Sequence, residues 1–423
     1  MEVSIDKIPD GWELKSLNDI CIKIQDGNYG GQYPKASEFL DYGIPFLTSK
    51  VIGKDGILKN ELIDYISFEK HVELDKAHLQ LNDVLLTNRG ASVGAIGYVD
   101  KSISHGNIGP QLTLLRVKPD IADSRYLFQA MKSKHFRNQL SQSDSGSAMN
   151  FFGVGTTKSF KVKIPKNINE QTAIATALSD TDALITSLER LIEKKRNIKQ
   201  GAMQQLLTGK KRLPGFSGKW EVKKLEDLIF SFQNGYGFSA EGYDKVGTPI
   251  VTMAQIGLDG SFQFDENKVN YWRTSEFNSL KSFHLHNGDV IIAMTDVTPE
   301  KNLIGRMTTV KSNQTMLLNQ RVGHLRIDKS KISPLFLTSL SNMKTWRDYS
   351  ISSATLGVQA NIGTKGILNG KFFIAPIEEQ SAISQVLSDM DAELESLERK
   401  LEKYKLIKQG MMQELLSGKT RLV

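Results

Sequence analysis

The sequence predicts an α+β chain written twice: two similar domains, each followed by one long helix, with the two helices pairing as an antiparallel coiled coil about a pseudo-twofold axis. Three observations predict it. The segment Glu170 to Leu213 returns as Glu379 to Leu422 at a constant offset of 209, without a gap and with 27 of 44 positions identical. Landmarks in the remaining sequence recur at offsets drifting from 204 to 211. Both copies of the constant segment carry apolar residues at alternating steps of four and three, the seam spacing of a coiled coil. The predicted organisation is a first domain over 1–165, a spacer helix over 166–213, a second domain over 214–376 and a second spacer helix over 377–423.

Within the variable domains, Trp12, Glu13 and Leu17 match Trp220, Glu221 and Leu225 at 208, as Gln25 and Gly27 match Gln233 and Gly235. Gly43 and Pro45 match Gly247 and Pro249 at 204, and Asn82 to Val84 answers Gly288 to Val290 at 206. Gly146, Asn150, Gly155 and Pro165 align with Gly357, Asn361, Gly366 and Pro376 at 211. Short apolar runs such as GIPFLT, PQLTLLRV and GDVIIAM are separated by Gly, Asn and Asp, and read as short strands. Helical patterns lie around Tyr126 to Asn138 and Leu335 to Trp346. The expected domain is a twisted, mostly antiparallel sheet with long polar loops, where binding residues usually sit. Within one molecule, a part held constant in both copies performs the same task twice, whereas a part that diverges performs related but different tasks.

In the constant segments the expected seam includes Ile174, Leu178, Ile185, Leu188 and Ile192, answered by Ile383, Leu387, Leu394, Leu397 and Leu401. Pro165 and Pro376 precede the helices and Gly209 and Gly418 follow them, as start and stop signals. Each helix should run for roughly 38 residues, about 57 Å. Lys195, Lys199 and Lys408 also fall on the seam, which predicts a wet stretch or a local slip of the heptads. The competing reading is an amphipathic helix packed on its own domain.

Lys and Arg number 54 against 47 acidic residues, a net charge of +7 that weakly favours a polyanionic partner. The surplus lies in 166–213 and 214–376, each +4, while 1–165 is nearly neutral and 377–423 is −2. Cys21 is the only cysteine, so no intrachain disulfide and no thiolate zinc cluster is possible. No long apolar run and no leader is read in the sequence, so a cytoplasmic protein without a membrane partner is expected. The glycine-rich Phe151 to Gly155 follows no apolar strand, and GKT at Gly418 to Thr420 lacks the upstream glycine of a phosphate loop, Gln413 standing there. The seven histidines form no metal-ligand spacing that recurs in both halves. No nucleophile or metal constellation emerges, so no catalytic residue, metal or cofactor is assigned to this chain.

The order of these features resembles the specificity subunit of type I restriction–modification systems across essentially the whole chain. The resemblance is carried by DGWELKSL and GKWEVKKL, by NDVLLTNRGASVGAIG and its looser partner GDVIIAMTDVTPEKNLIG, by NEQTAI and EEQSAI, and by IKQGAMQQLLTGK and IKQGMMQELLSGK. The first domain departs from the family pattern with GPQL, where the second keeps Asn319-Gln320. The resemblance implies that each variable domain is a target-recognition domain reading one half of a bipartite, asymmetric double-stranded DNA site. It implies that the paired helices set the gap and dock two modification subunits, which methylate adenine with S-adenosylmethionine. A restriction subunit would join with ATP and Mg. The specificity subunit itself would catalyse nothing.

Base contacts must come from polar and aromatic side chains on loops, phosphate contacts from Lys and Arg. The first-domain candidates are Gln25, Asn28, Tyr29, Lys50, Asn88, Arg89, Ser92, His105 and Asn107, with Lys158 before the helix as a backbone grip. The second-domain candidates are Gln233, Asn234, Tyr236, Gln255, Thr295, Asp296, Arg306 and Arg321. Gln25 and Gln233 recur, which favours structural or phosphate roles for them. A fused methyltransferase and a scaffold without sequence preference remain as alternatives. Tight S-adenosylmethionine binding would favour the first, and salt-dependent, sequence-blind DNA affinity the second.

Overall fold

A computed structural model describes residues 8–53, 55–103, 105–143, 151–355 and 360–422. Gly146, Asn150 and Gly357 lie outside the described residues. The chain divides into two units, Met1–Arg190 with Arg399–Val423, and Leu191–Glu398. Each unit therefore contains part of both long helices.

In the first unit, Trp12–Ser16 pairs antiparallel with Lys161–Pro165, bringing the two ends of the variable domain together. Between them lies an antiparallel sheet in the order Cys21–Asp26, Leu112–Val117, Val84–Thr87, Ile96–Tyr98. Val84–Thr87 is buried along its whole length, as its uninterrupted apolar run requires of a central strand. A second sheet orders Phe39–Leu40, Asp64–Ile66, Ile44–Leu47 and Asn107–Ile108, the last two parallel. The pairing is mostly antiparallel, as the sequence predicts, with this one parallel pair among the described residues of the unit. The long connection between those two strands removes the constraint that forces hairpin neighbours to be antiparallel.

The second unit repeats this plan. Its antiparallel sheet orders Ile229–Asn234, Val322–Ile327, Val290–Ala293 and Met307–Thr309, and a five-stranded sheet contains the parallel pair Thr248–Val251 and Met316–Leu318. Even the bulge in the first strand recurs, between Cys21 and Lys23 in one unit and between Ile229 and Ser231 in the other. The helical stretches around Tyr126 to Asn138 and Leu335 to Trp346 hold two helices each, Ser124–Met131 with Lys134–Ser143, and Pro334–Ser341 with Lys344–Ser352.

The long helices are Ile168–Leu206 and Ile377–Leu415, 39 residues each. Gly209 and Gly418 follow them at φ +67° and +73°, the left-handed geometry that ends a helix without a Cβ clash. Of the predicted seam, Ile174, Leu178, Leu188, Ile192, Ile383, Leu387, Leu394 and Leu401 are buried, and Ile185 and Leu397 are half-buried. Ile174 and Leu178 join Leu415 and Leu416 in the core of the first unit, and Leu206 joins Ile383 and Leu387 in that of the second.

Cross-helix ion pairs fix the direction. In the first unit Asp182 meets Lys408 and Glu189 meets Lys405; in the second Asp391 meets Lys199 and Glu393 meets Lys195. One partner number rises as the other falls, so the helices run antiparallel within each unit. The seam lysines are thus neither stray nor out of register, since each holds a carboxylate of the facing helix. Such polar layers favour one register over others at some cost in stability. Among the described residues, no helix is long and apolar enough to cross a membrane.

Candidate nucleic-acid interface

In the first unit the loop after Cys21–Asp26 crosses the turn between Asn107–Ile108 and Leu112–Val117. The crossing is so close that a Cβ on Gly27 would collide with the Ile108 carbonyl oxygen and lie 2.7 Å from that of Gly109. In the second unit Gly235 passes the carbonyls of Leu318 and Asn319 in the same way. Glycine at both positions lets the loop lie down on the turn.

In the first unit, side chains around this loop form a closed hydrogen-bonded ring. Thr113 donates to Asp26 Oδ1 at 2.5 Å, and the Tyr29 hydroxyl donates to Asp26 Oδ2 at 2.7 Å. Arg89 donates from Nη2 to the Tyr29 oxygen at 2.6 Å and from Nε to Asn88 Oδ1 at 3.3 Å, and Asn88 donates to Thr113 at 3.0 Å. The Arg89 guanidinium carbon lies 4.8 Å from the Tyr29 ring centre and 4.7 Å from that of Phe151. Asp26 and Asn88 are buried, while Tyr29 and Phe151 remain 41% and 50% exposed. Burial, and then the hydrogen bond to Asp26, push the Tyr29 hydroxyl up to about 12.

The other first-unit candidates divide by burial. Asn28 is buried, donating to Gln32 at 2.8 Å and accepting from the Lys76 backbone N–H. Asn107 is buried against His71 and the Leu74 carbonyl. Both side chains, like that of Asn88, are committed to holding loops. Gln25 is half-buried, Lys50 pairs with Asp64 at 2.8 Å, and Ser92, His105 and Lys158 are exposed.

In the second unit, Gln255 is buried and accepts from the backbone and hydroxyl of Thr252. Thr295 is buried beside Met253. Asp296 is buried too; desolvation raises its carboxyl, but the N–H groups of Thr298 and Leu303 outweigh it and hold it below the ordinary value. Arg306 is committed to Asn302 and Asn342, and Gln233 donates to the Ser282 carbonyl at 2.6 Å. Tyr236 packs on Phe238 and Phe283. Asn234 and Arg321 are exposed. Arg321 lines a pocket of about 420 Å³ with Phe238, Tyr243, Met253, Asn319 and Gln320.

The structure brings together residues that the sequence did not connect. Phe151, read only as part of a glycine-rich turn, bridges Arg89 in antiparallel fashion. The offset of 211 assigned around it is corrected to 210. Phe152 N–H bonds the Asn88 carbonyl as Ile362 N–H bonds that of Met294, so Asn361 answers Phe151 and Thr295 answers Arg89. The Gly109 and Asn319 N–H groups likewise bond the carbonyls of Leu47 and Val251, which sets Arg321 opposite Gln111. No single-sequence signal reveals these matches, because they rest on backbone hydrogen bonds between distant strands.

Comparison with known proteins follows the duplication of the sequence. A family model described as the type I restriction modification DNA specificity domain matches twice, over residues 9–200 and 217–404. The MjaVIII type I restriction enzyme specificity subunit of Methanocaldococcus jannaschii is 26% identical, over 98% of this chain and 94% of its own. The EcoKI specificity subunit of Escherichia coli K12 is 21% identical, over 94% and 86%. The crystal structure of a type I restriction–modification S subunit from M. genitalium superposes with a TM-score of 0.61 at 15% identity, over 97% of each chain, and so shares the fold.

Proposed function

The chain belongs to the type I restriction–modification DNA specificity family, and from that premise we propose that its two variable domains read the two halves of a bipartite, asymmetric site in double-stranded DNA. The observation that carries this reading is a contrast inside one molecule. Equivalent backbone positions hold different chemistry, Arg89 against Thr295, Phe151 against Asn361 and Gln111 against Arg321. The helix contacts Lys199–Asp391 and Arg212–Glu379, by comparison, return as Lys408–Asp182 and Arg421–Glu170. Divergent positions suit two different half-sites, and repeated helix contacts suit a task done twice.

In this reading the domains are 1–165 and 214–376, and the helices of 166–213 and 377–423 set the unspecified gap and dock two modification subunits. The chain is non-catalytic and cytoplasmic. Its partners bring S-adenosylmethionine for adenine methylation, and a restriction subunit brings ATP and Mg. Exposed Ser92, His105, Asn234 and Arg321 reach base edges, Tyr29 holds Arg89, and Lys50 and Lys158 meet phosphates. The buried candidates Asn28, Asn88, Asn107, Gln255, Thr295 and Asp296 act by holding the loops that carry the readers.

The test maps methylated adenines in DNA from cells carrying the whole system, before and after residues 1–165 are exchanged for another recognition domain. One half-site should change while the other half and the gap persist. Change in both halves would refute the division of labour. Methylation without any sequence requirement would favour the scaffold reading.

A further inference from the structure

We propose that Arg89 reads a guanine in the half-site held by the first unit, with Tyr29 and Phe151 fixing its guanidinium for that task. The inference rests on the recognition reading above and gives the candidate Arg89 a base and a geometry.

The first support is the pose. A guanidinium carries five N–H donors. The side of Arg89 formed by Nε and Nη2 is taken by Asn88 and Tyr29, and Nη1 has no hydrogen-bond partner among the described residues. The terminal fork of Nη1 and Nη2 is therefore the part left to act. Its supports rest on the sheet, because Asp26 and Thr113 are direct cross-strand partners in Cys21–Asp26 and Leu112–Val117. A reader anchored to strands through a buried carboxylate is already oriented before it meets its ligand.

The second support is that the fold does not need the arginine. At the same bridge the second unit places Thr295 against Asn361, and Thr295 is buried beside Met253. The backbone there closes without any cation. Arg89 does not recur, which is the behaviour of a residue tied to one sequence.

The third support is the chemistry of the fork. Two parallel N–H donors match the O6 and N7 acceptors of guanine in the major groove. Adenine offers N7 beside an amino donor, and cytosine a donor, so neither satisfies both N–H groups. The Tyr29 and Phe151 rings, centred 4.8 and 4.7 Å from the guanidinium carbon, hold its orientation through cation–π contact.

The experiment uses the full-length chain with its modification subunits and a pool of duplexes randomised across both half-sites, reading the sequences that become methylated. Arg89→Lys keeps the charge and loses the fork; Arg89→Ala loses both. In both variants the preference for one G·C pair of the first half-site should fall roughly ten- to hundredfold. The second half-site should stay intact and serve as the control for folding. Tyr29→Phe should weaken the same preference by less. An unchanged pattern in both variants would overturn the proposal. So would uniform weakening at every position with a shallower salt dependence, the mark of a phosphate contact. Loss of both half-sites in both variants would assign Arg89 to the fold and also overturn it. Absence of any sequence selection by the unsubstituted chain would instead refute the recognition reading itself.

Discussion

Arg421 forks through Nε and Nη2 onto both carboxylate oxygens of Glu170, 251 residues earlier in the chain. The Glu170 side chain is fully buried and that of Arg421 is one-third exposed. In the second unit Arg212 makes the same fork on Glu379, also fully buried. The neighbouring glutamines complete the joint, Gln171 holding the Pro165 and Ile121 carbonyls and Gln380 those of Ala375 and Lys331. The Glu-Gln opening and the Arg-Leu ending of each constant segment are thus two halves of one contact, exchanged between the helices.

Removing Arg421 strands a buried carboxylate, which is costlier than never having buried the pair. Arg421→Met should lower the melting temperature by several degrees. The double variant Arg421→Met with Glu170→Gln should recover part of that loss. Thermal unfolding of the three proteins checks this, and additive losses would remove the coupling.

The same exchange predicts how half of the chain behaves. Residues 399–422 complete the first unit, and residues 190–213 are their counterparts in a segment with 27 of 44 identical positions. In a fragment of residues 1–213, Arg212 of one copy can therefore take the place of Arg421 on Glu170 of another. Sedimentation should find the fragment as a homodimer, and Arg212→Ala should shift it toward monomer. A folded monomer insensitive to Arg212 would contradict the exchange.

How much of this was legible in sequence follows from the range of the contacts. The heptads, the helix stops and the offset of 209 are local or repeated signals, and the helices appear where they predict. The ion pairs of Lys199 and Lys408 were not legible, because a lysine on a seam carries no mark of the carboxylate opposite. Strands of two to four residues, such as Asn107–Ile108, are too short to reveal a parallel partner by alternation. The Arg89 cluster joins residues 60 positions apart, and its third member, Phe151, sits in a segment read for its glycines alone.

Lys132 provides a pH signature. Its ammonium donates to the Asp55 carbonyl at 2.7 Å and lies over the Phe128 ring at 4.5 Å. It is 3.9 Å from Asp182, which Lys408 also engages. Burial is the main cause that brings its pKa from 10.5 down to about 8, opposed by Asp182 and helped by Lys408. A lysine depressed on folding binds more protons unfolded than folded between those values, so stability rises with pH across that window. Below pH 8 the penalty is complete, about 3 kcal/mol before the lost contacts are counted. Lys132→Met should therefore be more stable than the unsubstituted chain at pH 7, with the difference narrowing from pH 8 to 10.5. Denaturant unfolding at several pH values tests it; a constant difference would refute the assignment.

The loops of the two units depend on one glycine each. Gly27 allows the chain to touch the Ile108 and Gly109 carbonyls, and any Cβ there must push the loop away. The displaced residues would be Asn28 and Tyr29, so Arg89 would lose its hydroxyl acceptor and one of its aromatic neighbours. Gly27→Ala should then relax methylation specificity in the first half-site while leaving the second half and the gap unchanged. Gly235→Ala meets the Leu318 carbonyl at 2.6 Å and should do the reverse, since the loop it moves carries Phe238, which lines one pocket with Arg321. Mapping methylated adenines for the two single variants and the double variant separates the outcomes. Independent loss, each substitution erasing one half-site, is the expected result. If either alanine erased both half-sites, the two domains would not be acting as separate readers.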